Sequence, residues 1–501
     1  MRFPIRAGVG AVATGLATVL LATTASAVPA PGAPGVGDPY YPGAGNGGYD
    51  VGHYDIRLTY QPDTDLLAGT TTILATTTQE LSSFNLDFGL KVDSVRVNNR
   101  PAGFAKDADD ASELVVTPHE PLAQNQPVTV VVSYADVPSK LTIDGYQAWK
   151  KTPTGALAVD QPTIAEWWFP SNDHPTDKAT FDISVEVPDD VSALSNGTLV
   201  RKTKLREDWT RWNWRSTEPM ATYLAFIAVG DYEVLESETP DGQPFVTAYD
   251  PLLGSSLPAA KASIERSPEV VEFLEGFFGP YPFEAQGGIA TTGLGFALEN
   301  QTRSVYDEAF FRSGSNMSVV AHENAHQWFG DAVALGAWSD IWLNEGFSTY
   351  AEYLWSEHVG EGTADELAQY IYQLYPADDE FWQVLPGDPG AENQFDAAVY
   401  DRGALAAHAL RKAVGDDAFF TILRTWLEEK NESHGTIPEF VELAERISGQ
   451  QLDQVFDTWL FTEGKPEQSP NGPEAARLAP VAQPESYPQI KLTHERLAAG
   501  G

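Results

Sequence analysis

Between Tyr49 and about residue 250 the apolar side chains recur at every second position, and beyond 250 they recur at helical spacing. That switch confines the chain to a β domain followed by a mainly helical one. Tyr54, Ile56, Leu58 and Tyr60, then Val128, Val130, Val132 and Tyr134, then Phe181, Ile183, Val185 and Val187 each give a strand one apolar face. Gly, Pro, Asn and Asp separate the runs, which predicts an antiparallel β domain over residues 49–250. The later segments SPEVVEFLEGFFG, SVVAHENAHQWFG, LNEGFSTYAEYLWSEHVG and ALAAHALRKAVG carry helical periodicity and glycine stops, which predicts a mainly α-helical domain over 251–466. The fold class is multidomain α+β. With 501 residues, 42% of them hydrophobic, the chain can fill two cores.

The ends read differently. Arg2 and Arg6, an uncharged run from Ala7 to Leu21 and the small residues Ala25-Ser26-Ala27 form the pattern of an export signal, residues 1–27, cleaved after Ala27. The run is too short and too rich in Gly and Thr to span a bilayer, so a secreted, extracellular protein is expected, without membrane attachment after cleavage. Residues 28–48 have no periodicity and read as a disordered Pro/Gly linker; residues 467–501, rich in Pro, Gln and Glu, read as a tail. The absence of cysteine excludes disulfides and leaves His, Asp and Glu as metal ligands. A formal charge of −40 repels nucleic acid and anionic lipid, so neither is expected as a partner.

Residues 321–327, AHENAHQ, carry the chemistry. In a helix His322 and His326 lie on one face about 6 Å apart along the axis, so both can direct a ring nitrogen at one ion. Glu323 stands beside them, within reach of a water at the metal. Val320, Ala321, Ala325, Trp328 and Phe329 supply an apolar side, and Gly330 ends the helix. A hydrolytic zinc usually takes a third protein ligand. Glu345, separated from His326 by eighteen residues, lies in a second helix with a stripe of Leu343, Phe347, Tyr350 and Leu354, and can return to face the histidines. One Zn²⁺ per chain is the expectation.

These motifs resemble the zinc aminopeptidases of the aminopeptidase N type, which have a thermolysin-like catalytic domain. H-E-x-x-H with eighteen residues to the glutamate of NEGF, ENQT upstream, FFGPYPF, WFPSNDHPTDKATF in the β domain and YDRG downstream carry the resemblance, over roughly residues 49–466. It implies removal of single residues from peptides with a free N-terminal amine, by water activated at zinc, with Glu323 as general base. It places GFALEN, residues 295–300, where the family has G-x-M-E-N. There the strand backbone of Gly295 and Ala297 pairs with extended substrate and Glu299 binds the α-amine, with Leu298 in place of the usual methionine. Tyr400 matches the tyrosine that stabilises the oxyanion, with Arg402 at the usual lysine, and Gln161 aligns with a residue that helps hold the amine. A thermolysin-like endopeptidase, a zinc-containing binding protein without turnover and a lipid epoxide hydrolase remain as alternatives.

Overall fold

The structure, a computed structural model, describes residues 28–499 apart from 109, 144, 207 and 473–479, so the export signal expected over 1–27 lies outside the described residues. The period-two runs form strands. Eight of them make one sheet in the order Thr198–Arg206, Trp209–Met220, Ala179–Pro188, Tyr49–Gln61, Leu66–Thr77, Pro127–Asp136, Val92–Val97, Arg100–Pro101. Tyr54, Ile56, Leu58, Val130, Val132, Ile183 and Val185 all point into its core. The expectation of a wholly antiparallel domain needs one correction: Ala179–Pro188 runs parallel to Tyr49–Gln61, with Ile183 beside Ile56 and Val185 beside Leu58. A long connection joins these two strands, so no hairpin dictates their relative direction, and alternation reads the same either way.

The sheets also divide within the expected β region. Ile227–Gly230 still pairs within the N-terminal domain, against Ala156–Ala158 and Ser192–Leu194, whereas Glu233–Glu238 begins a five-stranded sheet of the second domain. That sheet runs Glu233–Glu238, Pro244–Tyr249, Gln286–Thr291, Ser304–Asp307, Ala297–Leu298, which leaves Ala297–Leu298 at an edge. The chain therefore passes from one sheet to the other between Gly230 and Glu233. Strands flank that passage on both sides, so the period could not mark it.

The helices of the second domain are α1 (Leu257–Ile264), α2 (Ser267–Phe278), α3 (Met317–Ala325), α4 (Trp342–Val359), α5 (Ala364–Leu374), α6 (Ala397–Val414), α7 (Asp416–Lys430), α8 (Ile437–Ser448), the single turn α9 (Asp453–Phe456) and α10 (Tyr487–Leu497). Three of them position the chemistry. Asn316 caps α3 by accepting from the backbone N–H groups of Ser318 and Val319, and Asp396 caps α6 through Ala398. Helix α4 stops at Gly360 in the left-handed conformation. Helices α4 and α6 cross where two glycines meet: a Cβ on Gly403 would lie 3.2 Å from the Cα of Gly346, so only this pair allows the backbones so close. Among the described residues no helix is long and apolar enough to cross a membrane.

Both supposed loose ends are folded. The segment expected as a disordered linker contributes a short strand, Ala30–Pro31, parallel to Leu81–Asp87. Its Asp38 carboxylate is buried and accepts from the backbone N–H of Tyr40, Tyr41 and Trp338 and from His174 Nε2. Tyr40 and Tyr41 donate their hydroxyls to Asp388 and Gln394 of the second domain, at 2.5 and 2.8 Å. The segment is ordered by a few polar anchors, which leave no periodic mark. The expected tail contains α10, whose buried Tyr487, Ile490, His494 and Leu497 follow helical spacing and pack on α3 and α6.

Burial would raise the Asp38 pKa, but His174 and the three backbone donors outweigh it and hold it at about 2, below the ordinary 3.8. A depressed carboxylate pKa stabilises the fold above the unfolded value and loses that contribution as pH falls through the folded one. Asp38→Ala should therefore destabilise the protein by about 2–4 kcal/mol at neutral pH, where charge-assisted hydrogen bonds are lost. Denaturant titrations of variant and wild type should show that gap narrowing as pH drops below 3.8 towards 2. A variant as stable as wild type at pH 7 would mean that the segment is merely draped on the surface.

Candidate metal centre

Helix α3 is buried all round, and the ring of His322 points towards α4 while His326 sits at its C-terminal end. His322 Nε2 lies 3.0 Å from His326 Nε2 and 3.1 Å from Glu345 Oε2, and His326 Nε2 lies 3.4 Å from the same carboxylate oxygen. All three side chains are buried. The outer nitrogens are committed elsewhere: His326 Nδ1 donates to the Phe329 carbonyl at 3.0 Å, and His322 Nδ1 donates to Glu352 Oε1 at 2.8 Å. With its outer nitrogen donating, each ring in its neutral form turns a bare Nε2 lone pair inward. Two lone pairs and a carboxylate oxygen at these separations repel one another unless a cation sits among them. Four ligands at zinc bond lengths lie about 3.3 Å apart, which matches the observed triangle. The arrangement fits a zinc ion.

The electrostatics say the same. Burial would raise the Glu345 pKa, but His326 and His322 outweigh it and hold it at about 2. Burial would lower the pKa values of His322 and His326, and the carboxylates around them, Glu345 foremost, push both up instead. This is a place built for excess positive charge.

The remaining carboxylates are arranged around that triangle. Ligand-capable atoms of Glu299, Glu323 and His326 lie within 4.8 Å of one another. Glu323 Oε1 is buried without a hydrogen-bond partner, and burial pushes its pKa up to about 8 against the pull of the two histidines. Glu299 Oε1 accepts from the Tyr223 hydroxyl at 3.0 Å, and burial raises its pKa as well. Tyr400, on α6, is buried with its ring centroid 5.9 Å from that of His322. Ala297 lies in the edge strand opposite Tyr306, and Gly295 donates its N–H to Asp307 Oδ2 from a left-handed backbone conformation. The structure thus brings together His322, His326, Glu345, Glu323, Glu299 and Tyr400. Gln161 is half-buried on a β-domain loop, where its backbone N–H donates to Asp160 Oδ1.

The N-terminal half, residues 51–224, matches the model of the peptidase M1 N-terminal domain, and residues 264–459 match that of the peptidase family M1 domain. The chain belongs to the M1 peptidase family. Rat glutamyl aminopeptidase is 30% identical over 337 residues, which are 63% of this chain and 35% of that protein. Aminopeptidase M1 of Arabidopsis thaliana is 28% identical over 334 residues, 62% of this chain and 37% of the relative. The chain thus spans about a third of the length of these curated relatives. It matches shorter M1 proteins end to end: the M1 zinc metallopeptidase of Deinococcus radiodurans superposes with a TM-score of 0.75 at 29% identity, covering 90% of this chain and all of that one. A mutant of the same protein bound to a Tyr-Ser-Ala substrate gives 0.76 at 29% identity, covering 88% of this chain and all of that one. Zn²⁺ is the cofactor that the family and the donor set share.

Several contributors to this M1 site carry no clear mark in the sequence. Glu352 follows Glu345 by two helical turns on the same face of α4, a spacing that could have found it, and it orients His322 as carboxylates orient metal-bound histidines elsewhere. Gln327, next to the second histidine, donates to the Glu299 carbonyl at 2.8 Å and accepts from the Thr302 N–H, tying the end of the edge strand to α3. Tyr223 has no local signal, because it reaches Glu299 from the other domain. Asp331 is a buried carboxylate with neither oxygen hydrogen-bonded, its pKa raised well above normal by burial and by Glu299.

Metal analysis should find about one zinc per chain. Glu345→Ala should lose it, because two neutral imidazoles alone hold zinc weakly, whereas Glu323→Gln should keep it. Zinc-free Glu323→Gln protein would move Glu323 into the ligand set.

Proposed function

We propose that the protein is an exported zinc aminopeptidase that hydrolyses the first peptide bond of peptides with a free α-amine. The observation that carries this reading is the buried Glu299 carboxylate beside Glu323 and His326, all within 4.8 Å. A fixed negative charge so near the metal leaves room for one residue between the bound amine and the bond to be cut. The Arg2/Arg6, apolar run and Ala25-Ser26-Ala27 pattern supports export.

His322, His326 and Glu345 would hold the zinc, which when bound would supply Lewis acidity to polarise a carbonyl and lower the pKa of water. Glu323 Oε1, which has no protein partner, takes the proton of the attacking water and passes it to the leaving nitrogen. Glu299, oriented by Tyr223, fixes the ammonium group, and Gln161 is the candidate that would assist from the β domain once substrate is bound. The edge strand Ala297–Leu298, with Gly295 just before it, has no neighbouring strand on its outer side among the described residues, and an extended peptide can align there. Tyr400 donates its hydroxyl to the developing oxyanion. Peptides are the partners; an acidic protein of this kind has no use for nucleic acid.

The deciding measurement is chelator-sensitive release of chromophore from free and from N-acetylated amino-acid anilides. The free-amine substrates should be cleaved and the acetylated ones spared, since acetylation leaves Glu299 desolvated and unpaired. Glu299→Ala should cut kcat/KM for free amines by about ten- to a thousandfold with zinc content unchanged, and barely affect acetylated substrates. Equal cleavage of both types by wild type would replace this reading with an endopeptidase.

Tyr400→Phe removes one hydroxyl and little volume. If that hydroxyl serves the oxyanion, kcat should fall by roughly two to three orders of magnitude while KM changes far less. A kcat equal to wild type would leave Tyr400 a packing residue only.

A further inference from the structure

Behind the metal ligands lies a second row of buried groups that ends on α10. Glu352 Oε1 accepts from His322 Nδ1 at 2.8 Å and from His494 Nε2 at 2.9 Å, so one carboxylate oxygen stands between the two rings. The other oxygen of Glu352 accepts from the Ser318 hydroxyl. His494 Nδ1 in turn faces Asp401 Oδ1 at 2.9 Å. The His494 ring also stacks on Tyr400, with centroids 5.6 Å apart and planes at 22°. All of these side chains are buried.

We infer that His494 is a positioning residue that holds the ligand His322 and the ring of Tyr400 in register through its bonds to Glu352 and Asp401. Both of its ring nitrogens face carboxylates, so the ring is doubly protonated and acts as a fixed cation between them. Burial would lower its pKa, but Glu352 and Asp401 outweigh burial and lift it to about 10. The bond from His494 Nε2 keeps the Glu352 carboxylate aimed, and the aim of Glu352 sets the rotation of the His322 ring. The need for such an anchor is visible in the space nearby. A cavity of about 330 Å³ lined by Ser318, Glu352, Trp355, Ser356, Gln489 and Ile490 gives an unanchored Glu352 room to turn away. On the other side, the stacked imidazolium fixes the plane of the Tyr400 phenol without touching its hydroxyl. Helix α10 is itself tied to the start of α3. The Asn316 amide, at the cap of α3, donates to Thr493 Oγ1 at 3.2 Å, and the Met317 N–H donates to Gln489 Oε1 at 3.2 Å.

A histidine that merely stapled α10 to its neighbours would affect stability and nothing else. The full-length protein and two variants separate these roles. Zinc affinity is measured by competition with a chromophoric chelator, kcat and KM on an aminoacyl anilide, and thermal stability on the metal-free proteins. His494→Ala should raise the zinc dissociation constant about tenfold and lower kcat, with KM within about twofold of wild type. His494→Gln keeps a donor for Glu352 but loses the aromatic stack, so zinc affinity should largely return while kcat stays low. Glu495→Gln, on the solvent side of the same helix, should match wild type in both. The kinetic arm rests on the aminopeptidase reading; the affinity arm does not, and decides for itself whether His494 supports the metal site. Should His494→Ala melt earlier yet bind zinc and turn over like wild type, or should His494→Gln match wild type in kcat as well as in affinity, the positioning role is overturned. If the alanine variant does not fold, the glutamine variant alone decides the matter by the same kcat criterion.

Discussion

Two imidazole lone pairs and a carboxylate oxygen are held within 3.4 Å of one another by buried side chains, and the rest of the molecule is arranged around keeping them there. Such a cluster is unstable by itself, because buried charge and unpaired polar atoms each cost several kcal/mol. A divalent cation reverses the sign of that balance. The protein's part is to prevent the ligands from escaping into other pairings before the cation arrives. It does so by committing each outer nitrogen, His326 Nδ1 to the Phe329 carbonyl and His322 Nδ1 to Glu352, so that the only free direction for both rings is inward.

Placing a third ligand and a phenol at the same point requires two further helices to approach very closely. Glu345 immediately precedes Gly346 on α4, and Tyr400 precedes Gly403 on α6 by one turn. Those two glycines are the crossing point: a Cβ on either would come within 3.2–3.3 Å of the other helix's backbone, and one on Gly346 would also run into the Trp342 ring, so a side chain at either position presses the two helices apart. Trp342 fills the notch beside them and donates its indole N–H to the Gly403 carbonyl at 3.0 Å. Arg402, between Tyr400 and Gly403, is fully buried and donates to the carbonyls of Trp382, Val384, Trp459 and Thr462, which fixes the turns beneath α6. Packing, not loop geometry, therefore sets the distance between Tyr400 and the metal ligands.

What can be read in the sequence follows from how local each signal is. His322, Glu323 and His326 are legible because one helical turn brings them together; Glu345 is legible because its helix has its own apolar stripe. The alternation of the β domain is equally local, and its core residues are buried as the pattern requires. The parallel pairing of Ala179–Pro188 with Tyr49–Gln61 is not local, and alternation carries no direction. Nor can a period locate the change of sheet after Gly230, with strands on either side. The ends mislead for a different reason. Composition describes whether a segment can build a core of its own, and 28–48 cannot; it is ordered by Asp38, Tyr40 and Tyr41 reaching into a core built by others. In α10 four buried positions at helical spacing are masked by the Pro, Gln and Glu around them.

Those two end segments stand behind different parts of the site. Asp38 accepts from the Trp338 N–H; the Trp338 ring packs edge-on against Tyr223 at 5.2 Å; and Tyr223 donates to Glu299. Asp401, His494 and Glu352 lead in the same stepwise manner to His322. The first chain crosses from the β domain and supports the Glu299 carboxylate, while the second lies within the helical domain and supports the His322 ring. They share no residue. A shift in the first reaches Glu299 without passing through the two histidines, whereas a shift in the second reaches the His322 ring and, through the stacked His494, Tyr400 with it. The two chains of contacts thus converge only at the centre, where Glu299, Glu323 and His326 come within 4.8 Å of one another.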